Sequence, residues 1–123
     1  MKLSVITATF NSVTVVGDCL HCILEQTYKD VEHVVVDGGS SDGTLELLWA
    51  NKDQIDILVS EPDSGIYDAL NKGINLSTGD IIGFLHADDV FVTNELLRNV
   101  ASVFISDPSI SAVYGDLQYV QRS

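Results

Sequence analysis

The feature that most constrains the fold of this 123-residue chain is a regular alternation of strand-like and helix-like segments. Short apolar runs rich in β-branched residues predict strands, and runs with apolar residues every three or four positions predict amphipathic helices. The predicted strands are Leu3–Ala8, Val31–Val36, Ile55–Val59, Asp80–Leu85 and Ser111–Val120. Three predicted helices are Val13–Gln26, Ser64–Ser77 and Asn94–Phe104. A fourth helix is predicted around Leu45, and residues 40–42 could cap its start.

Strands that alternate with helices of about 10–15 residues build β-α-β units. The three consecutive valines at 34–36 are typical of a strand that is covered on both faces. The sequence therefore predicts an α/β fold, in which a doubly wound, mostly parallel sheet lies between two layers of helices. A chain of this length suits a single domain over residues 1–123.

The balance of charges excludes some partners. The chain has 18 acidic and 6 basic residues, which gives a formal net charge of −12. We therefore expect no nucleic-acid partner, since such binding needs clustered cations. We also expect no integral membrane segment, because no stretch approaches the ~18 apolar residues of a membrane span. These features predict a cytoplasmic protein, and peripheral association with the inner membrane stays open.

In doubly wound sheets, ligands bind beyond the carboxyl ends of the strands. The segments that follow four of the predicted strands are polar or acidic. They are residues 9–11, 37–39, 60–63 and 86–89. The sequence therefore predicts that polar and acidic groups gather on one rim of the sheet.

Asp88 and Asp89 form an adjacent acidic pair on this rim. Their charges repel each other, and a divalent cation would relieve that repulsion and bridge to substrate phosphates. The alternative is that both residues cap a turn ahead of Asn94. Their place on the ligand rim favours the metal site.

Asp37 is followed by a glycine-rich turn. The glycines do not have the spacing of the dinucleotide fingerprint. Gly38 and Gly43 have the spacing of a phosphate-binding P-loop, but Thr44 stands where that motif needs lysine. A turn role and a ligand role stay open for Asp37, whereas Asp42 is better interpreted as a helix cap or turn residue.

Three further residue types have two interpretations each. Cys19 and Cys22 have the spacing of a redox or metal pair, but they lie within a predicted helix, which favours packing. Lys72, one of six basic residues, could contact phosphate or remain solvated. His86 precedes the acidic pair and could be a neighbour of a ligand, although its position alone does not require that role.

Taken together, these segments resemble the family 2 glycosyltransferases, which have the GT-A fold and use nucleotide-sugar donors. The resemblance covers nearly the whole chain in order and with matching spacing. The segments that carry it are 4–11 (SVITATFN), 25–28 (EQTY), 36–44 (VDGGSSDGT), 60–73 (SEPDSGIYDALNKG), 78–89 (TGDIIGFLHADD) and 112–116 (AVYGD). The stretch that begins at Ser60 looks most like bacterial enzymes that build exopolysaccharide or lipopolysaccharide-type glycans.

The resemblance implies a role for each matching position in the donor site. Thr9 and Phe10 would line the base pocket beside Asn11, and Asp37 would accept a hydrogen bond from the base. Asn71 matches a helix position near the donor. Leu70 stands where the family commonly has arginine, which would remove one possible phosphate or base contact.

The resemblance also implies a divalent cation, Mg²⁺ or Mn²⁺. Asp89 would coordinate the cation on the diphosphate, and Asp88 would contact the ribose or the metal. Ala87 stands where the family has the first acid of its Asp-x-Asp motif, so metal binding depends on Asp88 and Asp89.

The implied activity is the metal-assisted transfer of a sugar, with inversion, from a UDP- or GDP-sugar to a glycan or lipid-linked acceptor. We expect residues 1–123 to be the donor-binding portion, with the acceptor site and the catalytic base in a further portion. Asp116 is the only local candidate for a base. We also expect a homodimer to be one way to cover an apolar sheet edge.

Two alternatives remain at this stage. The chain could be a non-catalytic module that binds a nucleotide or a metal. It could also be a phosphoacceptor receiver domain, but residues 9–11 offer no acidic pair after the first strand.

Overall fold

The computed structural model describes residues 1–107, 109, 112–114 and 118–121. Its strands are β1 (Leu3–Thr9), β2 (Val31–Asp37), β3 (Ile57–Ser60), β4 (Ile81–Phe84), β5 (Ala112–Tyr114) and β6 (Gln118–Gln121). Its α-helices are α1 (Val16–Leu24), α2 (Thr44–Ala50), α3 (Ile66–Leu76) and α4 (Leu96–Ser106), and a short 3₁₀ helix spans Lys52–Gln54.

The described strands form one six-stranded sheet in the order β3-β2-β1-β4-β6-β5. The first four in this order are parallel, whereas β6 pairs antiparallel with both β4 and β5. The predicted α/β fold with a mostly parallel sheet is therefore confirmed. The single strand predicted over Ser111–Val120 is wrong, because the structure has two short strands there. The apolar pattern of this segment does not distinguish one strand from two.

Helices cover both faces of the sheet. On one face, α3 packs through Ala69, Leu70 and Ile74 against Ile6 of β1 and Val34 of β2. The helices α1, α2 and α4 pack on the opposite face. This arrangement is the three-layer architecture that the alternating pattern predicts, and it buries both sides of the central strands. None of the helices in the described part of the chain is both long and apolar enough to span a bilayer.

The path of the chain creates a crevice between β1 and β4. From β1 the chain runs outward through α1 and α2 to β3, and it then returns across the other face through α3 to β4. Neighbouring strands whose connections leave on opposite faces form a topological switch point. The carboxyl ends of β1 and β4 therefore lie where a parallel α/β sheet is expected to bind its ligand.

A buried carboxylate, Glu32, connects the strands at the amino ends of β1, β2 and β4, opposite the crevice. Glu32 accepts hydrogen bonds from the hydroxyls of Ser4 and Thr78, and the Lys2 Nζ lies 3.2 Å from its Oε2. Burial raises the pKa of Glu32, but the hydrogen bonds from Thr78, Ser4 and Lys2 outweigh it and lower the pKa to about 2. Glu32 therefore holds β1, β2 and the start of β4 together as an anion.

Candidate functional site

A cleft of about 560 Å³ lies at the carboxyl ends of β1 and β4. Its walls come from the β1–α1 loop, the start of α3 and the turn after β4. The residues that line it are Ala8, Thr9, Phe10, Asn11, Ser12, Thr14, Val15, Gly38, Asp63, Gly65, Ile66, Ala69, His86, Ala87 and Asp88. The cleft is large enough for a nucleotide-sized ligand.

Phe10 and Ile66 give this cleft apolar walls. Phe10 lines it with 63% of its surface exposed, and Ile66 lines it with 46% exposed. Large apolar side chains are normally buried, so their exposure on a concave surface is typical of a ligand-binding site. The wall is suited to a flat apolar group such as a nucleobase or a sugar ring.

Hydrogen bonds between neighbouring loops hold the β1–α1 loop in shape. Asn11 has a positive φ of 49°, a conformation that asparagine tolerates better than most residues. Its backbone N–H donates to the Ser40 hydroxyl at 2.8 Å, and its Oδ1 accepts the Ser41 N–H at 2.9 Å. The Ser12 N–H donates to the Thr44 hydroxyl at 2.8 Å. These bonds preorganise the backbone that follows Thr9.

Asp42 contributes to the same loop contacts. Its carboxylate accepts the Thr44 N–H at 3.0 Å and the Val13 N–H at 3.3 Å. It does not line the cleft. The interpretation of Asp42 as a turn residue at the start of α2 is therefore confirmed.

Asp37 lies beneath the cleft and is fully buried. Its Oδ1 accepts the hydroxyls of Thr9 at 2.7 Å and Ser40 at 2.6 Å. Its Oδ2 accepts the backbone N–H groups of Gly39 and Ser40 and the hydroxyl of Ser60. Burial raises the pKa of Asp37, but these hydrogen bonds outweigh it and lower the pKa overall. In this structure Asp37 is an ionised side chain whose hydrogen bonds connect the ends of β1, β2 and β3. It does not line the cleft.

Asp63 is one of two carboxylates that line the cleft in the described part of the chain, and it lies beside Gly38. One of its oxygens, Oδ1, accepts the Gly65 N–H at 3.0 Å. Gly65 has a φ of 119°, which favours glycine, and it precedes the first residue of α3. Asp63 belongs to the polar segment 60–63 that the sequence predicts at the rim. In the structure its carboxylate lies against Gly38, at the carboxyl end of β2.

The acidic pair lies in the turn that follows β4. The Asp89 N–H donates to the His86 carbonyl at 3.0 Å, which closes this turn. Asp88 is exposed and lines the cleft beside His86, whereas Asp89 is half-buried and does not line it. The two adjacent carboxylates therefore differ in their surroundings.

Two other predicted residues do not reach the cleft. Asn71 lies on α3 with an exposed side chain, and it is not among the lining residues. Lys72 forms ion pairs with Glu61 at 3.0 Å and Asp68 at 3.5 Å. The hydrogen bond with Glu61 raises the pKa of Lys72. The predicted candidate base, Asp116, lies outside the described residues.

Residues 4–118 match the family profile described as Glycosyl transferase family 2. The chain belongs to this family. One relative is a PGL/p-HBAD biosynthesis glycosyltransferase of Mycobacterium bovis, which is 39% identical over 93% of this chain and 46% of its own length. Another is an uncharacterised glycosyltransferase of Nostoc, which is 32% identical over 87% of this chain and 34% of its own length. The chain thus spans about half the length, or less, of these relatives.

Solved structures resemble this family 2 chain in fold. A mannosyltransferase from Pyrobaculum calidifontis in complex with GDP-Man and Mn²⁺ superposes with a TM-score of 0.87 at 26% identity, covering 98% of this chain and 44% of that one. S. aureus TarS 1–349 in complex with UDP superposes with a TM-score of 0.76 at 26% identity, covering 86% of this chain and 32% of that one. The GT-A type of α/β fold is thereby confirmed.

The donor set of this glycosyltransferase family 2 chain fits a hard divalent cation. The described residues contain no cluster of three or more potential metal-ligating side chains. Mg²⁺ and Mn²⁺ accept carboxylate ligands and often take only one or two from the protein, with the remaining positions filled by phosphate and water. Asp88 offers a ligand of this type in the cleft, and Asp89 offers another in the same turn, next to it in the chain.

Several lining residues of the family 2 cleft were not among the predicted site residues. They are Ser12, Thr14, Val15, Gly65, Ile66 and Ala69. Gly65 and Ile66 lie two and three residues beyond the predicted rim segment 60–63, so their closeness to that segment is the signal that could have found them. Val15 lies in the segment that the sequence assigned to α1, and no sequence signal separates it from the core positions of that helix.

Proposed function

We propose that the cleft binds a nucleoside-diphosphate sugar, with a UDP- or GDP-sugar as the donor. The chain would form the donor-binding portion of an enzyme that transfers the sugar to a glycan or lipid-linked acceptor with inversion. The observation that carries this proposal is the cleft at the switch point, which Thr9, Phe10, Asn11 and Asp88 line together. The superposed structures that hold GDP-Man with Mn²⁺ or UDP support it.

The base and ribose would bind on the side of the cleft that Thr9 and Phe10 form. The exposed Phe10 ring offers a stacking surface, and Asn11 holds the backbone of this loop in place. Asp37 would act from below, because its bonds to Thr9 and Ser40 fix the two loops that meet the base. A direct hydrogen bond between Asp37 and the base would require Asp37 to lose one of the hydrogen bonds that it accepts in this structure.

The diphosphate would lie toward Asp88 and Asp89. None of the described residues that line the cleft is a lysine or an arginine, and the whole chain carries a net charge of −12. A diphosphate therefore finds no cationic side chain among them to balance its charge. When bound, Mg²⁺ or Mn²⁺ supplies the positive charge that the leaving nucleoside diphosphate needs.

We propose that residues 1–123 act with a further portion that supplies the acceptor site and the catalytic base. The lengths of the curated relatives support this division, since the chain spans 46% of the mycobacterial relative. Donor binding and transfer are then separable properties. The chain would bind the donor without performing transfer by itself.

Nucleotide binding in the presence of metal tests the proposal. We expect UDP or GDP at millimolar concentration to raise the melting temperature of the chain when Mn²⁺ is present. Asp89→Asn should abolish this rise. Asp53→Asn is the matched control, since Asp53 is an exposed acid on the 3₁₀ helix and does not line the cleft. An unchanged melting temperature with UDP, GDP and TDP in Mn²⁺ would refute donor binding.

A further inference from the structure

Gln26 is a polar residue that lies two positions after the end of α1, yet only 1% of its surface is exposed. Its Nε2 donates to the Thr93 carbonyl at 2.8 Å and to the Cys22 carbonyl at 3.5 Å, and its Oε1 accepts the Leu97 N–H at 3.1 Å. One end of the amide meets carbonyls and the other meets an N–H, so only one orientation of this side chain satisfies all three partners. Gln26 therefore joins α1 to the segment that leads into α4.

Neighbouring contacts fasten the same segment to α1. The Phe91 N–H donates to the Cys22 Sγ at 3.4 Å, and the Phe91 side chain is buried in the core. The Thr27 N–H donates to the Asn94 carbonyl at 2.8 Å. The segment 90–97 is thus held at four of its residues by the last turn of α1 and the residues that follow it.

This segment follows directly on the acidic pair. Asp89 and Phe91 are two residues apart, which is at most about 7 Å of extended chain. On the other side of the pair, the Leu85 N–H donates to the Ile6 carbonyl at 3.0 Å and fixes the end of β4. The turn that carries Asp88 and Asp89 therefore lies between Leu85 and Phe91, whose backbones are both held by hydrogen bonds to other elements.

Between Phe91 and Leu96 the segment has little packing of its own, because the side chains of residues 92–95 are exposed. Val90 is 52% exposed and Val92 is 84% exposed, so Phe91 alone among these three is inserted in the core. A backbone with few buried contacts opens easily unless hydrogen bonds restrain it. The amide of Gln26 supplies two of those restraints from within the protein, where they are shielded from water.

We infer that Gln26 is a positioning residue that sets the Asp88–Asp89 turn for metal-dependent binding of the donor diphosphate. This inference rests on the proposed function. Gln26 does not line the cleft, so it acts through the backbone of residues 90–97 and does not contact the ligand. Residues that orient metal ligands from behind typically change metal affinity by about 10–100-fold when they are replaced.

The test compares Gln26→Met with Gln54→Met. Methionine keeps the length of glutamine but has no amide. Gln54 is half-buried on the 3₁₀ helix ahead of β3, and two strands of the sheet separate β3 from β4, which makes Gln54 a matched control. Without ligand, we expect Gln26→Met alone to accelerate amide hydrogen exchange over residues 89–97. By calorimetry, we expect Gln26→Met to weaken Mn²⁺-dependent binding of UDP or GDP about tenfold or more.

Binding of the same nucleotide in EDTA separates positioning from general damage. A positioning residue should weaken only the part of the affinity that Mn²⁺ provides, whereas a structural defect should weaken binding with and without metal to the same extent. Gln26→Glu provides a second variant if Gln26→Met does not fold. It keeps the size and the acceptor for Leu97, but its carboxylate cannot donate to the Thr93 carbonyl.

The outcomes distinguish this inference from the proposed function. If the wild-type chain binds no nucleotide with Mn²⁺, the proposed function fails and the inference fails with it. If the wild type binds but Gln26→Met and Gln26→Glu bind equally well, only the role of Gln26 is overturned. Unchanged hydrogen exchange over residues 89–97 overturns that role as well.

Discussion

A Cβ atom added to Gly38 would lie 2.8 Å from the Oδ2 of Asp63, a distance closer than such atoms normally approach. Gly38 is the residue after β2, and Asp63 belongs to the segment between β3 and α3. The absence of a side chain at Gly38 thus lets the Asp63 carboxylate rest against the end of β2, inside the cleft. This contact joins two rim segments that lie 25 positions apart in the sequence.

Gly38→Ala should therefore alter the cleft more than the fold. The new methyl group meets the end of a flexible side chain, which can swing aside at little cost, so we expect a loss of stability below about 1 kcal/mol. The displaced Asp63 carboxylate would enter the space for the ligand. We expect nucleotide affinity, measured by calorimetry, to fall roughly tenfold, or about 1.4 kcal/mol. Affinity equal to that of the wild type would show that Asp63 does not shape the donor site.

Removal of the metal should affect the phosphates and not the base. The described lining residues offer no lysine or arginine to a diphosphate. We therefore expect EDTA to weaken binding of UDP or GDP by at least tenfold, about 1.4 kcal/mol, while binding of the corresponding nucleoside stays unchanged. Titration calorimetry of the nucleotide and the nucleoside, each with Mn²⁺ and with EDTA, measures both. Equal losses for the two ligands would contradict a metal that acts on the diphosphate.

Gly73 and Gly17 lie in helices but should respond in opposite ways to alanine. A Cβ on Gly73 would overlap the Cγ2 of Ile6, in the contact between α3 and β1, whereas a Cβ on Gly17 would meet nothing within 4 Å. We expect Gly73→Ala to lower the free energy of unfolding by about 1–3 kcal/mol through overpacking. Gly17→Ala should raise it by up to about 1 kcal/mol, because alanine favours the helix. Urea unfolding measures both free energies. A Gly73→Ala variant with the same free energy of unfolding as the wild type would contradict the close approach of α3 to β1.

His33 should make the fold sensitive to mild acid. It is buried on β2, its Nε2 lies 2.9 Å from the Thr7 hydroxyl, and burial lowers its pKa from 6.5 to about 3. Between these two values the unfolded chain binds a proton that the folded chain does not. The contribution of His33 is therefore complete above pH 6.5 and is lost as the pH falls toward 3, by roughly 1.4 kcal/mol per pH unit.

The measurement is the free energy of unfolding between pH 6.5 and 5. Glu32 contributes little to its pH dependence in this range, because both its pKa of about 2 in the fold and its ordinary pKa of 4.5 lie below it. His33→Gln should flatten the decline that the wild type shows. His21→Gln is the matched control, because His21 is exposed on α1, and it should leave the decline as it is. A wild-type decline that persists in His33→Gln would assign the acid sensitivity to other groups.

Local patterns in the sequence were sufficient for the layers of the fold. The run of valines at 34–36 predicted a buried strand, and the apolar spacing of Ile66, Leu70 and Ile74 predicted one face of a helix. The structure packs Leu70 and Ile74 in one cluster with Val34 and Val36, whereas Ile66 is 46% exposed and lines the cleft. This succeeds because the period of a strand or helix is a local property that burial imposes on neighbouring residues. The same patterns predicted the acidic rim, because the end of a strand can also be predicted from neighbouring residues in the sequence.

The sequence by itself determined which residues end the strands, and therefore which carboxylates reach the rim. Only the tertiary structure decided how they are used: Asp37 is buried beneath five donors, Asp63 enters the cleft, and Asp88 and Asp89 face different surroundings. The physical reason is that these roles depend on partners from distant segments, such as Thr9 and Ser60 for Asp37. Sequence spacing along one segment carries no information on which side chains of another segment will meet it in three dimensions.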